Sequence, residues 1–280
     1  MTIGNAVILG LVQGLAEFLP ISSSGHLAIL QNLFNMSDIE GGHLFFDVLL
    51  HFGTMLSICF VYWNDIVSMF YEVLDVITGK SAALTSNGKP RRYPAARLFF
   101  LIVAATLPLF IVLPVKDAVD ALSGKTVVVG IFLILTGFVL YVSDKLKPGR
   151  KTEKTMSFID ALIVGVCQCV ATIPGLSRSG ITITGCLATG QSRSFAVKFS
   201  LLMSIPAVFG ATLLEFIDVF KVGVDMSLIP AYLIGMVVAM VSGFFAIALV
   251  RRLVNKGRFG GFAYYCWLLG AVSIILTVIF

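Results

Sequence analysis

The sequence predicts an all-α polytopic membrane protein with two re-entrant helix-turn-helix hairpins and about six full transmembrane helices. Three observations carry that prediction. Only 12% of the 280 residues are charged while 58% are hydrophobic, and the mean hydropathy is +0.99; a soluble domain needs roughly 25% charged residues to cover its surface. Apolar stretches of about 20 residues, the helical length that crosses a hydrocarbon layer of about 30 Å, recur along the whole chain. Alternating ten-residue patterns are absent, which argues against a β-barrel. A soluble enzyme, a disordered chain and a disulfide-stapled secreted scaffold are excluded on the same grounds.

The elements follow in order. Apolar segments at 4–19 and 159–173 run into Pro, Ser and Gly before they are long enough to cross, and each is followed by another short piece, 26–35 and 181–190. Half-length helix, polar turn, half-length helix is the pattern of a re-entrant hairpin. Irregular backbone at that depth is tolerated only where it is buried in protein or lines a water-filled cavity. Full spans are expected at 44–63, 94–114, 125–147, 195–216, 227–250 and 261–279. The segment 64–78, interrupted by Asp65, Glu72 and Asp75, reads as an amphipathic helix at the interface, with a further crossing left open. No basic stretch precedes the first apolar segment, so no cleavable signal peptide is expected. All five cysteines lie in apolar stretches and lack a second Cys/His pair at ligand spacing, so they read as small fillers rather than a zinc site.

The two hairpins match each other. Residues 10–25 align without gaps on 165–180 at a constant offset of 155, with six of sixteen positions identical: Gly10/Gly165, Gln13/Gln168, Ala16/Ala171, Ser22/Ser177, Ser24/Ser179 and Gly25/Gly180. Composition alone gives roughly one or two, so this is an internal repeat. Charge orients it. The net charge of +5 reflects basic residues clustered in three loops (Lys80 to Arg92, Lys145 to Lys154, Arg251 to Arg258), thirteen in all against Lys116, Lys125 and Lys221 in the intervening loops. Such clusters mark cytoplasmic loops and call for no nucleic acid. The first hairpin then opens outward and the second inward. One membrane domain, 1–280, is expected, with repeat 1 at about 1–115 and repeat 2 at about 125–280. In inverted repeats the site lies at their interface near the midplane.

Chemistry concentrates in the two turns. Gln13 and Glu17, four apart, share one helical face, and a carboxylate inside a membrane segment is functional by default; the alternative is a structural ion pair. Ser22, Ser23, Ser24, Gly25 and His26 follow, hydroxyls and a helix start that suit an anion. N-capping accounts for at least one serine. An imidazole three residues from Ser23 suits proton transfer, and an ordinary interior histidine is the alternative. Asp47 and His51, four apart on a span, give a weaker signal of support from behind, and His43 has no such neighbour. In the second hairpin, Ser177, Arg178, Ser179 and Thr182 put an always-charged guanidinium among hydroxyls at membrane depth. Arginine fits phosphate through two parallel hydrogen bonds; the alternative is a structural pair with Glu17. Arg178 is the repeat counterpart of Ser23, so one phosphate touches both if the tips meet.

At these residues a resemblance becomes specific. Gln13-x-x-x-Glu17-Phe-Leu-Pro-Ile-Ser-Ser-Ser-Gly-His26 resembles the (Glu/Gln)-x-x-x-Glu box, and Pro174-Gly-Leu-Ser-Arg-Ser-Gly-Ile-Thr182 the Pro-Gly-x-Ser-Arg-Ser-Gly box, of the bacterial undecaprenyl-diphosphatase (bacitracin-resistance) family. The likeness covers essentially the whole chain. It implies hydrolysis of undecaprenyl diphosphate to the monophosphate, recycling the lipid carrier of peptidoglycan and other cell-wall polymers. It further implies the bacterial plasma membrane, a site open to the outer face, a polyprenyl diphosphate lipid substrate, a divalent cation (Mg²⁺ or Ca²⁺), and it accords with a homodimer. Gln13 stands where many members have Glu, which leaves one carboxylate there. The expected mechanism has Arg178 gripping phosphate with Ser22, Ser24, Ser177, Ser179 and Thr182. Gln13 and Glu17 hold the metal, and Ser23 attacks after activation by His26. A water activated by His26, or Ser22 in place of Ser23, are the variants. A transporter of a lipid phosphate is the rival reading; the Ser/His pair beside Arg178 favours chemistry over it.

Overall fold

The computed structural model describes residues 1–33, 42–79, 93–147, 149–222 and 225–279, and among these the regular structure is entirely helical. The basic cluster Lys80, Lys89, Arg91 and Arg92 and the end of the expected 26–35 piece lie outside them. Helices long and apolar enough to span a membrane cover Leu44–Val61, Pro94–Val115, Thr126–Ser143, Arg193–Ile217, Met226–Asn255 and Phe259–Thr277, the six expected places.

The first short apolar segment is α1 (Ile3–Phe18), started by Thr2, whose hydroxyl accepts from the Asn5 amide at 3.1 Å. It stops before Pro20, which cannot continue a helix. The chain turns over residues 19–22 into α2 (Ser23–Leu33), which begins three residues earlier than its apolar stretch, so Ser23 sits at a helix start. Next come α3 (Gly42–Val61) and α4 (Trp63–Ile77). The Glu72 carboxylate of α4 accepts from the amides of Ala95 and Ala96 (2.7 and 2.9 Å), satisfying the free N-terminus of α5 (Pro94–Thr106). The α4 helix therefore docks on its neighbour, while Phe70, Tyr71 and Ile77 face outward. After Thr106 the span narrows to 3₁₀ turns at Leu107–Ile111 and Leu113–Val115, because Pro108 and Pro114 lack the amides an α-helix would use. A short α6 (Lys116–Asp120) precedes α7 (Thr126–Ser143). That span ends four residues before its predicted limit, because Asp144 turns to accept from the Phe259 and Gly260 amides at 3.1 and 2.7 Å.

The second hairpin is α8 (Phe158–Val170) and α9 (Arg178–Ala188). Ser157 and Asp160 form a reciprocal capping box at the start of α8, and the Ser177 hydroxyl accepts from Gly180 N at 3.2 Å to start α9. The remaining helices are α10 (Arg193–Val222), α11 (Ile229–Asn255) and α12 (Phe262–Ile279).

Close backbone approach holds the bundle together, as expected where lipid offers no hydrophobic drive between helices. A Cβ on Gly10 of α1 would lie 2.4 Å from the Gly235 carbonyl of α11, and one on Gly165 of α8 would lie 2.4 Å from the Ala105 carbonyl of α5. Each hairpin is thereby pressed against a full span, and their turns face one another. The Ser179 hydroxyl lies 3.5 Å from the Leu19 carbonyl, and Gly180 stands against Pro20.

Candidate active site

Two turns, one from each hairpin, build the site. In the first, Ser22 adopts φ of 66°, left-handed for a residue with a Cβ, and its hydroxyl lies 3.3 Å from that of Ser24. That bend sends Ser23 back over α1, where its hydroxyl donates to Glu17 Oε2 at 2.7 Å. In the second turn, Gly175 at φ of 92° lets the backbone pass within contact of the Val129 carbonyl. Thr136 of α7 pins it, donating to the Gly175 carbonyl and accepting from the Ser177 amide, both at 3.1 Å. Arg178 follows as the first residue of α9 and ion-pairs through one guanidinium nitrogen with Glu17 Oε1.

Glu17, 8% exposed, is the hub. Arg178 takes one oxygen. The other accepts from Ser23 and, at 3.0 Å, from the Gln13 amide. The Gln13 nitrogen also lies 3.1 Å from His51 Nδ1, which therefore accepts, and that ring nitrogen stands 3.7 Å from Glu17. A buried charge with a cation and two hydrogen-bond donors, Ser23 and Gln13, satisfies the condition for keeping a carboxylate out of water. The ion pair uses one nitrogen of a guanidinium that has five N–H donors, leaving the others for an anion.

A cavity of about 590 Å³ opens beside this cluster. Glu17, the three serines, His51, Gln168, Ser177 and Arg178 line one part of it, and Leu109, Phe110, Leu113, Val208 and Leu213 another, with Lys116 and Glu215 also on its wall. Charged head and greasy wall in one space suit an amphiphile carrying an anion.

Of the residues singled out in the sequence, Gln13, Glu17, Ser23 and Arg178 are brought into one hydrogen-bonded group. Ser179 and Thr182 are not on the cavity wall: Ser179 reaches toward Leu19, and Thr182 donates to the Arg178 carbonyl and meets the Ser200 hydroxyl at 2.6 Å. His26 is not brought to Ser23. Its Nδ1 lies 2.8 Å from the Ser22 carbonyl and its Nε2 2.5 Å from the Tyr265 hydroxyl. The imidazole of the cluster is His51, which the i, i+4 spacing with Asp47 had marked only faintly. Thr136 and Tyr265 had no signal as site residues beyond being polar groups in apolar stretches, whereas Gln168 was marked only as the repeat counterpart of Gln13. No group of three or more His, Cys, Asp and Glu at metal-binding distance occurs among the described residues. Gln13 Oε1 is nonetheless buried without a hydrogen-bond partner, on the amide whose nitrogen bonds Glu17. A carbonyl oxygen with a carboxylate is a donor set that fits one hard cation whose other ligands come from a substrate.

These features define a polytopic membrane protein in which the turns of two short helical hairpins meet at one polar cluster beside a cavity. Its sequence matches the family model described as bacitracin resistance protein BacA over residues 6–272. Similar chains include proteins named undecaprenyl-diphosphatase from Alkaliphilus metalliredigens (39% identity over all of both chains), Methanosphaera stadtmanae (40%, 98% of each) and Halothermothrix orenii (40%, all of both). The chain belongs to the BacA family.

Proposed function

We propose that this protein hydrolyses undecaprenyl diphosphate to undecaprenyl phosphate and inorganic phosphate, an activity that recycles the lipid carrier of cell-wall polymers and confers bacitracin resistance. The names of its relatives and its family support the substrate and reaction. One observation carries the mechanism: the Ser23 hydroxyl is hydrogen-bonded to a buried carboxylate that is itself paired with Arg178, all on one cavity.

The diphosphate enters the polar part of the cavity while the prenyl chain lies along the Leu109, Phe110 and Leu213 wall. Arg178 bonds phosphate with the N–H groups that Glu17 does not use, drawing charge from the phosphorus as the bridging bond weakens. Ser23 attacks the terminal phosphorus and its proton passes to Glu17 Oε2. The bridging P–O bond breaks and prenyl phosphate leaves. A water then adds to the phosphoryl-serine, the P–Oγ bond breaks, Glu17 returns its proton to Ser23 Oγ, and the water's hydrogens leave with inorganic phosphate. Glu17, not His26, is the proton acceptor here, because neither His26 nitrogen is directed at Ser23. A divalent cation, Mg²⁺ or Ca²⁺, would be held by the Glu17 carboxylate and the Gln13 carbonyl oxygen and would neutralise phosphate charge.

The site opens to the outer face of the bacterial plasma membrane. Lys116 and Glu215, on the cavity wall, lie at the end of the spans that charge bias places outside. The inverted repeat accords with α2 and α9 beginning at Ser23 and Arg178, the same 155 apart as the aligned turns.

Phosphate release from undecaprenyl diphosphate by protein in detergent, where no vectorial transport exists, tests the reading. Ser23→Ala is expected to lose about 10³-fold or more in kcat, as loss of a nucleophile does. Absence of release by the native chain, together with lipid movement in proteoliposomes, would overturn hydrolysis in favour of transport.

A further inference from the structure

Tyr265 lies outside both motif boxes, 239 residues from the histidine it touches. The turn it approaches ends at Ser22, the one non-glycine residue with positive φ among those described. Such backbone is disfavoured for a residue with a Cβ and persists only where surroundings impose it.

His26 supplies that constraint. Its Nδ1 lies 2.8 Å from the Ser22 carbonyl. A carbonyl only accepts, so Nδ1 carries the hydrogen, and in the neutral ring Nε2 is left as an acceptor. The Tyr265 hydroxyl, 2.5 Å away, donates to it, and the two rings stack with centroids 5.7 Å apart and planes inclined by 9°. The next residue of α12 acts on the same turn: Cys266 Sγ lies 3.5 Å from the Pro20 carbonyl. Two adjacent side chains of α12 thus grip the turn between α1 and α2.

We propose that His26 and Tyr265 form a positioning pair that holds the Ser22 carbonyl, and with it the left-handed bend that aims Ser23 at Glu17. The imidazole moves no proton in the reaction; its tautomer is set by Tyr265 and spent on the backbone. This rests on Ser23 being the attacking group.

Steady-state kinetics on undecaprenyl diphosphate in detergent, across pH, test the pair. His26→Asn places an amide N–H where Nδ1 stands and has no ionisable group. It is expected to keep kcat within about tenfold of wild type and to leave the shape of the pH profile unchanged, whereas removal of a general base costs about 10²–10⁴-fold. His26→Ala is expected to lose about 10²-fold in kcat with KM little altered, the scale of a misplacement of about 1 Å. Tyr265→Phe lowers kcat in the native background and adds nothing to His26→Ala, because the hydroxyl acts only through the imidazole. His26→Asn and Tyr265→Phe preserve shape, and an unchanged thermal midpoint in detergent separates loss of aim from loss of fold. An Asn variant as impaired as the Ala variant, with one limb of the pH profile gone from both, overturns the proposal. So does a Tyr265→Phe effect that persists in full on His26→Ala. Full activity in Ser23→Ala overturns the nucleophile reading first, and the pair's role with it, and is recognised because the His26 variants play no part in it.

Discussion

In the proposed mechanism Arg178 serves two anions, Glu17 and phosphate, with one guanidinium, a duty for which lysine is a poor substitute. The planar fork bonds Glu17 with one nitrogen and keeps parallel N–H groups for phosphate, whereas an ammonium is a single point charge that must choose. Arg178→Lys is expected to lower kcat/KM by about 10²-fold, equal to roughly 2–3 kcal/mol of transition-state stabilisation, with protein yield and melting temperature little changed because Glu17 retains a cation. Enzyme kinetics on the variant check it, and a loss below about threefold would remove phosphate from Arg178's duties. The cation proposed at Glu17 and Gln13 makes a separate prediction. A chelator should abolish phosphate release and added Mg²⁺ or Ca²⁺ restore it. Gln13→Ala, which deletes the unpartnered carbonyl oxygen, should raise the concentration of metal needed for half-maximal rate by about 10-fold or more.

The helices owe their packing to residues without side chains. A methyl on Gly10 would meet the Gly235 carbonyl, a backbone atom that cannot swing aside, so α1 would have to retreat from α11. Gly10→Ala is expected to cost about 1–3 kcal/mol, the usual penalty of overpacking, and Gly165→Ala the same against Ala105. Gly261→Ala, with nothing within 4 Å of its added methyl, should stay within about 0.5 kcal/mol; thermal unfolding in detergent measures all three. At this scale the sequence was most readable. Length and hydropathy give the six spans, and a Pro, Ser and Gly break in an apolar run marks each hairpin. Glu17, Ser23 and Arg178 stand out because polar groups at membrane depth are costly enough to need a reason. Partnerships were less readable. Gln13 meets His51 across 38 residues, Thr136 holds Ser177 across 41, and His26 meets Tyr265 across 239. Local periodicity says which face of a helix a side chain occupies, not which distant helix arrives there. His26 illustrates the consequence: nearness to Ser23 in the chain suggested proton transfer, while the helix carries the ring round to the backbone of its own turn.

At the scale of the whole molecule, the two halves are interlocked rather than side by side. The α1 hairpin of the first half lies on α11 of the second, and the α8 hairpin of the second lies on α5 of the first. The functional group is divided in the same way. Glu17, Ser23 and His51 come from the first half, and Arg178 with the apolar wall at Val208 and Leu213 from the second. Neither half therefore contains the complete cavity or the paired charge of the cluster: alone, the first would bury Glu17 without Arg178 and the second Arg178 without Glu17, each strongly destabilising in lipid. Cutting the chain between Ser123 and Gly124, in the turn linking α6 to α7, leaves every helix intact. The fragments 1–123 and 124–280 expressed separately are expected to be degraded and inactive, while co-expression restores phosphate hydrolysis and lets one tagged fragment copurify with the other. Hydrolysis by either fragment alone would show that the site does not need both hairpins, and the interface between them would lose its claim to the chemistry.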